Sequence, residues 1–202
     1  HLINTTQCRS GMSKNTISST ARDRRKVLGL SLGSAIALLP ATDAYACLQF
    51  SNNVTLFGTT DCIVWSGGNF QINNTGTLSS TSTPALTATG AAKTLTNNGL
   101  LSGTSAAGIE NTSNSLTVVN NGRIISDVVG INNNGTIVSL SNNVGGTISG
   151  TNAGIKNNSN SFISSLNNNH VISGDIGIDN AGYIGTLANT GTIAGTTTGI
   201  QN

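Results

Sequence analysis

The chain has 202 residues, a formal net charge of +2, 8% charged and 3% aromatic residues, and 25 glycines. Both fractions fall far below globular norms, yet Ile, Leu and Val recur throughout and the mean hydropathy is +0.02, which argues for an ordered, repetitive β structure and against disorder. Six of the nine bases lie in the first 26 residues (Arg9, Lys14, Arg22, Arg24, Arg25, Lys26), leaving Lys93, Arg123 and Lys156 against Asp61, Glu110, Asp127, Asp175 and Asp179 from Cys47 onward; without a basic patch, nucleic acid is excluded as a partner.

The first element is an export signal. Arg22, Arg24, Arg25 and Lys26 form a positive region, "VLGLSLGSAIALL" from Val27 to Leu39 an apolar run, Pro40 a break, and "AYA" ending at Ala46 a cleavage site before Cys47. The run is too short to cross a bilayer, which takes about 20 residues. The expected boundaries are residues 1–11 as upstream read-through, 12–46 as signal peptide starting at Met12, 47–62 as an N-terminal cap and 63–202 as repeats. Arg24-Arg25 weakly resembles a twin-arginine signal, so the export route stays open. Cys47 would also suit lipidation, but "AYAC" lacks the usual Leu three residues earlier.

Two cysteines remain in the mature chain. Cys47 and Cys62, in an exported protein, suggest one disulfide; two unpaired structural cysteines are the alternative. With His170 the only mature histidine and no Cys-x-x-Cys, no metal site or cofactor is expected.

The repeats follow. Aliphatic anchors stand at Ile63, Leu86, Ile109, Ile131, Ile155, Ile178 and Ile200, at spacings of 23, 23, 22, 24, 23 and 22. From Gly108 on, each anchor is preceded by Gly (Gly108, Gly130, Gly154, Gly177, Gly199). A second aliphatic column is expected at Ile72, Leu95, Val118, Leu140, Leu166 and Leu187, and a third at Leu78, Leu101, Ile124, Ile148, Ile172 and Ile193. Asn stands two residues after five anchors, at Asn111, Asn133, Asn157, Asn180 and Asn202. A second Asn column is expected at Asn74, Asn97, Asn120, Asn142, Asn168 and Asn189, followed by glycines that accept positive φ at corners, with His170 in one such slot.

Such a unit has short extended segments, no 3.6-residue period, and cannot bury its aliphatics alone. Stacked one coil on the next at about 4.8 Å, the anchors form a continuous interior and the asparagines form amide ladders. The expectation is an all-β, single-stranded β-solenoid of about six coils with 22–24 residues each.

Repeats such as "NNNGTIVSL", "NNVGGTISG" and "LANTGTIAG" behind a signal peptide resemble the passenger region of bacterial autotransporters. The resemblance covers residues 63–202 and the signal. It implies a right-handed parallel β-helix and a cell-surface or extracellular location in a Gram-negative bacterium. It also implies a C-terminal outer-membrane barrel, although no 10-residue alternating amphipathic strands occur in this chain. The seventh repeat is in register at Asn202, so further coils are expected beyond it, and the isolated chain is expected to associate end to end.

Chemistry is sparse. Asp127 and Asp175 occupy equivalent slots two coils apart, about 10 Å by strand spacing, with Thr151 between them and no base in the column. They read as solvated turn carboxylates rather than an inverting pair. Glu110 and Asp179 read as outward-facing, His170 as an exposed corner residue, and Trp65, Phe70 and Tyr183 as too scattered for a sugar-stacking platform. The resulting expectation is a stalk or adhesin without catalysis, bound to an unknown surface ligand, protein or glycan. The alternative is a carbohydrate-active β-helix enzyme, or a scaffold for a catalytic part elsewhere.

Overall fold

A computed structural model describes residues 47–202 together with the backbone of Leu30–Leu32. Residues 1–11, expected to be upstream read-through, and residues 12–46, expected to be a signal peptide, lie outside the described residues, apart from that tripeptide. It is strand β1 and pairs antiparallel with β3 (Val54–Leu56).

Among the described residues there is no helix. Nineteen strands form one sheet that winds as a β-solenoid of about six turns. Every pairing except that of β1 is parallel, and each strand pairs with the one a full coil away. A representative coil consists of β9 (Ile109–Asn111), β10 (Leu116–Asn120) and β11 (Arg123–Ser126). It stacks on β12 (Val129–Asn133), β13 (Thr136–Asn142) and β14 (Thr147–Gly150). These are followed by β15 (Ala153–Asn157), β16 (Phe162–Asn168) and β17 (Val171–Asn180), and then by β18 (Tyr183–Asn189) and β19 (Thr192–Gln201).

The strands form because alternate residues bury. In β10, Leu116, Val118 and Asn120 point inward while Thr117 and Val119 face out. The anchor column is continuous: Ile63 pairs Leu86, Leu86 pairs Ile109, and the series runs through Ile131, Ile155 and Ile178 to Ile200. Anchors Ile63 to Ile178 are at most 1% exposed, each contributing about 1.5–3 kcal/mol by burial. The Leu78–Leu101–Ile124–Ile148–Ile172–Ile193 column is equally in register. A fourth inward column, Leu116–Ile137–Ile163–Ile184, completes the core and has no counterpart among the sequence-derived columns.

Three features add to or differ from expectation. Residues 47–62, expected as an N-terminal cap, are themselves built of strands. They form a short coil of their own, with Leu48 paired to Ile63, Phe50 to Trp65 and Val54 to Phe70.

The second difference is a register correction. In β5 (Ile63–Ile72) and β7 (Leu86–Asn97), Phe70 rather than Ile72 pairs Leu95, and Ile72 pairs Asn97. Asn74 therefore lies outside the Asn column, exposed in a turn. The register shifts twice, between Trp65 and Gly67 and again between Gly68 and Asn69, beside Gly68 at φ 74°. The shifts seat two bulky rings, Trp65 and Phe70, 5.8 Å apart in the interior.

The third concerns glycine. Among the described glycines only Gly68, Gly90 and Gly145 have positive φ. Those of the repeat columns serve close approach instead: a Cβ on Gly130 would stand 2.6 Å from the Gly154 carbonyl oxygen one coil away.

Candidate functional site

The interior carries two amide ladders. In one, Nδ2 of Asn97 donates to Oδ1 of Asn120, and the chain continues through Asn142 and Asn168 to Asn189, every step 2.7–2.8 Å. In the other, Asn111, Asn133, Asn157 and Asn180 connect in the same direction and end on Asn202. Each amide does more than bond its neighbour. Nδ2 of Asn120 also donates to the Thr147 carbonyl at 3.2 Å, and Oδ1 of Asn111 accepts the Ser113 N–H at 3.0 Å. Among the described residues no buried side-chain nitrogen or oxygen lacks a partner. One ladder starts at Asn97 and the other a coil later at Asn111, because the equivalent slots before them hold Ile72 and Ala88.

Cys47 and Cys62 form a disulfide with Cα atoms 4.8 Å apart, one strand spacing, so the bond joins equivalent positions of adjacent coils. Leu48 N–H donates to the Cys62 carbonyl beside it at 3.0 Å.

The lateral faces hold the few charges. Glu110, Asn132, Lys156 and Asp179 occupy one outward column. Its only ion pair is Lys156–Asp179 at 2.9 Å, while Glu110 accepts amide hydrogens from Asn132 and Asn134. A part-exposed pair of this kind is worth at most about 1 kcal/mol.

Asp127 and Asp175 are not brought together. Thr151 stands between them in the stack: its N–H bonds the Ser126 carbonyl and its carbonyl takes the Asp175 N–H at 2.8 Å. Asp175 is fully exposed and accepts hydroxyl bonds from Thr196 at 2.6 Å and from Thr197. These bonds, Thr196 first, hold its pKa below the ordinary 3.8, against a small opposing effect of desolvation. His170 is half-buried, its Nδ1 3.0 Å from the Gly146 carbonyl oxygen.

The aromatic residues divide. Trp65 and Phe70 are core. Tyr183 is 59% exposed and pairs with Phe162, itself 48% exposed, at 6.0 Å between ring centroids. The two stand at register partners on adjacent coils. The pair is not evident from the sequence columns, in which Phe162 has no slot. The available signal was the Ile that follows each, Ile163 and Ile184, in the fourth core column.

Compared with protein-family models, with curated proteins and with solved structures, the chain matches none. Among the described residues no group of three His, Cys, Asp or Glu is placed to hold a metal ion.

Proposed function

We propose that the chain is an exported cell-surface module, a stalk or adhesin of an autotransporter-like protein. The observation that carries the reading is the Cys47–Cys62 disulfide on the first coil of an in-register rod. A disulfide suits an oxidising compartment, and a rod built of coils suits the display of a surface away from the cell. Three further features support it. The leader ending at Ala46 precedes the rod directly, the repeats resemble passenger repeats, and the outward columns consist mainly of neutral Asn, Ser and Thr. In this reading the rod supplies reach and contact area while its two ladders supply stiffness.

The test is labelling of intact cells of the source bacterium with an antibody against residues 86–180, with and without external protease. Labelling without permeabilisation, removed by protease, is the expected result. Labelling only after permeabilisation, with free thiols at Cys47 and Cys62, would overturn the proposal.

A further inference from the structure

We propose that Phe162 and Tyr183 form a stacking platform for a neutral pyranose sugar on the lateral face of the rod. The assignment deepens the reading of the rod as a binding module and rests on it.

Orientation comes first. Phe162 begins β16, which has a coil on either side, paired with β13 below and β18 above. It is nevertheless 48% exposed, so its ring is turned outward by strand alternation and not bared by an end of the stack. Tyr183 lies directly above it in register. The same alternation buries Ile163 and half-buries Ile184, which fixes both backbones on the core. The platform is thus mounted on rigid strands. At Gly185, where a Cβ would stand 2.6 Å from the Ser164 carbonyl oxygen, no side chain rises beside Tyr183.

The chemistry of the surroundings selects the ligand. β13, β16 and β18 contain no Asp, Glu, Lys, Arg or His. Exposed residues close by in the chain, Ser159, Asn160, Ser164 and Thr186, offer hydroxyl and amide groups, neutral donors and acceptors together. An aromatic face carries negative quadrupole density, which attracts the polarised C–H bonds on the apolar face of a pyranose, while the sugar's hydroxyls find the neutral rim. A charged ligand would find no counter-charge on these strands.

Size excludes a protein partner as the primary occupant. Two rings of 150–250 Å² each, at most about half open with Tyr183 on the last coil of its column, present no more than about 200 Å², a quarter of the roughly 800 Å² that each side of a stable protein interface contributes. One sugar ring fits that area. With a tilt of 54° between the two rings, the platform is a shallow cradle for a single residue, not a flat track for a long chain.

Saturation-transfer NMR on the folded chain tests this, with methyl β-D-glucopyranoside and methyl β-D-galactopyranoside as probes and cyclohexanol as an apolar control. Transfer should reach the ring C–H protons of at least one glycoside and fall at least tenfold in Phe162→Ser/Tyr183→Ser, whose circular dichroism and melting should match the parent. Tyr183→Phe, which keeps the ring, should retain it. Absence of transfer, equal transfer in the double variant, or equal transfer to cyclohexanol would overturn the assignment. So would concentration-dependent dimerisation that the double variant abolishes without any sugar signal. Each of these failures leaves surface display intact, because the antibody labelling of cells is independent of Phe162 and Tyr183.

Discussion

Asn97 and Asn120 face each other across one turn of the solenoid, with Nδ2 of Asn97 2.8 Å from Oδ1 of Asn120 and the same nitrogen 3.1 Å from the Arg123 carbonyl oxygen. Both hydrogens of the amide are therefore used, and both run toward the later coil. Asn120 repeats the arrangement toward Asn142 and Thr147.

Removing one rung should thus leave polar groups stranded on both sides. Asn120→Ala deprives buried Asn97 of an acceptor, and buried Asn142 and the part-buried Thr147 carbonyl of a donor. We expect a loss of about 2–4 kcal/mol, from desolvated groups without partners. Asn121→Ala, on the exposed outer row, should cost about 0.5 kcal/mol or less. Urea melts of both variants provide the comparison, and equal costs would show that the inner ladder has no special weight.

Core register predicts a second contrast. Ile131 is fully buried between its partners Ile109 and Ile155. Ile131→Asp should unfold the neighbouring coils, since a buried unpaired carboxylate is among the costliest changes available. Asp127→Asn, on the exposed turn, should leave the melt within about 0.5 kcal/mol of the parent. A parent-like melt for Ile131→Asp would refute the column.

These columns were legible in the sequence because a solenoid repeats one environment once per coil. Ile131 and Asn133 each recur at 22–24 residues in a fixed order, and nothing but stacking rewards that pattern. What was not legible broke the period. Ile72 and Asn74 stand two residues off the periodic columns because two register shifts between Trp65 and Asn69 admit Phe70 to the column, an exchange visible only once Trp65 and Phe70 are seen packed together. The Leu116–Ile137–Ile163–Ile184 column was hidden because turn insertions vary its distance from the anchors; one such turn contains Asn160 at φ 64°. The Phe162–Tyr183 pair went unseen with it.

The first coil should depend on its disulfide. It closes over 15 residues, against 22–24 in later coils, and holds fewer inward side chains. Cys47→Ser/Cys62→Ser should cost about 3 kcal/mol in the chain-entropy model. The loss should be local, with faster hydrogen exchange in residues 48–60 and unchanged protection in residues 131–168. Uniform loss of protection along the rod would contradict this.

Asp175 should titrate below an ordinary carboxylate. The Thr196 and Thr197 hydroxyls favour its charged form. A group with a depressed folded pKa contributes stability that is present above its unfolded value and lost as pH falls through the folded one, so any effect belongs below about pH 4. NMR titration of the Asp175 carboxyl carbon should give a midpoint under 3.8, moving up in Thr196→Val/Thr197→Val. A midpoint at or above 3.8 in the parent would be incompatible with these bonds persisting in solution.

The central claim is that successive coils lie in parallel register, one strand spacing apart, and cysteine cross-linking tests it most directly. Ser149 and Ser173 are register partners whose hydroxyl oxygens lie 3.2 Å apart, whereas Ser102 stands two coils from Ser149 in the same column. Two strand spacings, about 9.6 Å, exceed the roughly 7 Å that a disulfide spans. Under mild oxidation, intact-mass spectrometry after thiol alkylation should show Ser149→Cys/Ser173→Cys fully cross-linked and Ser102→Cys/Ser149→Cys with both thiols free. Equal cross-linking of the two pairs, or none in the first, would contradict the stack.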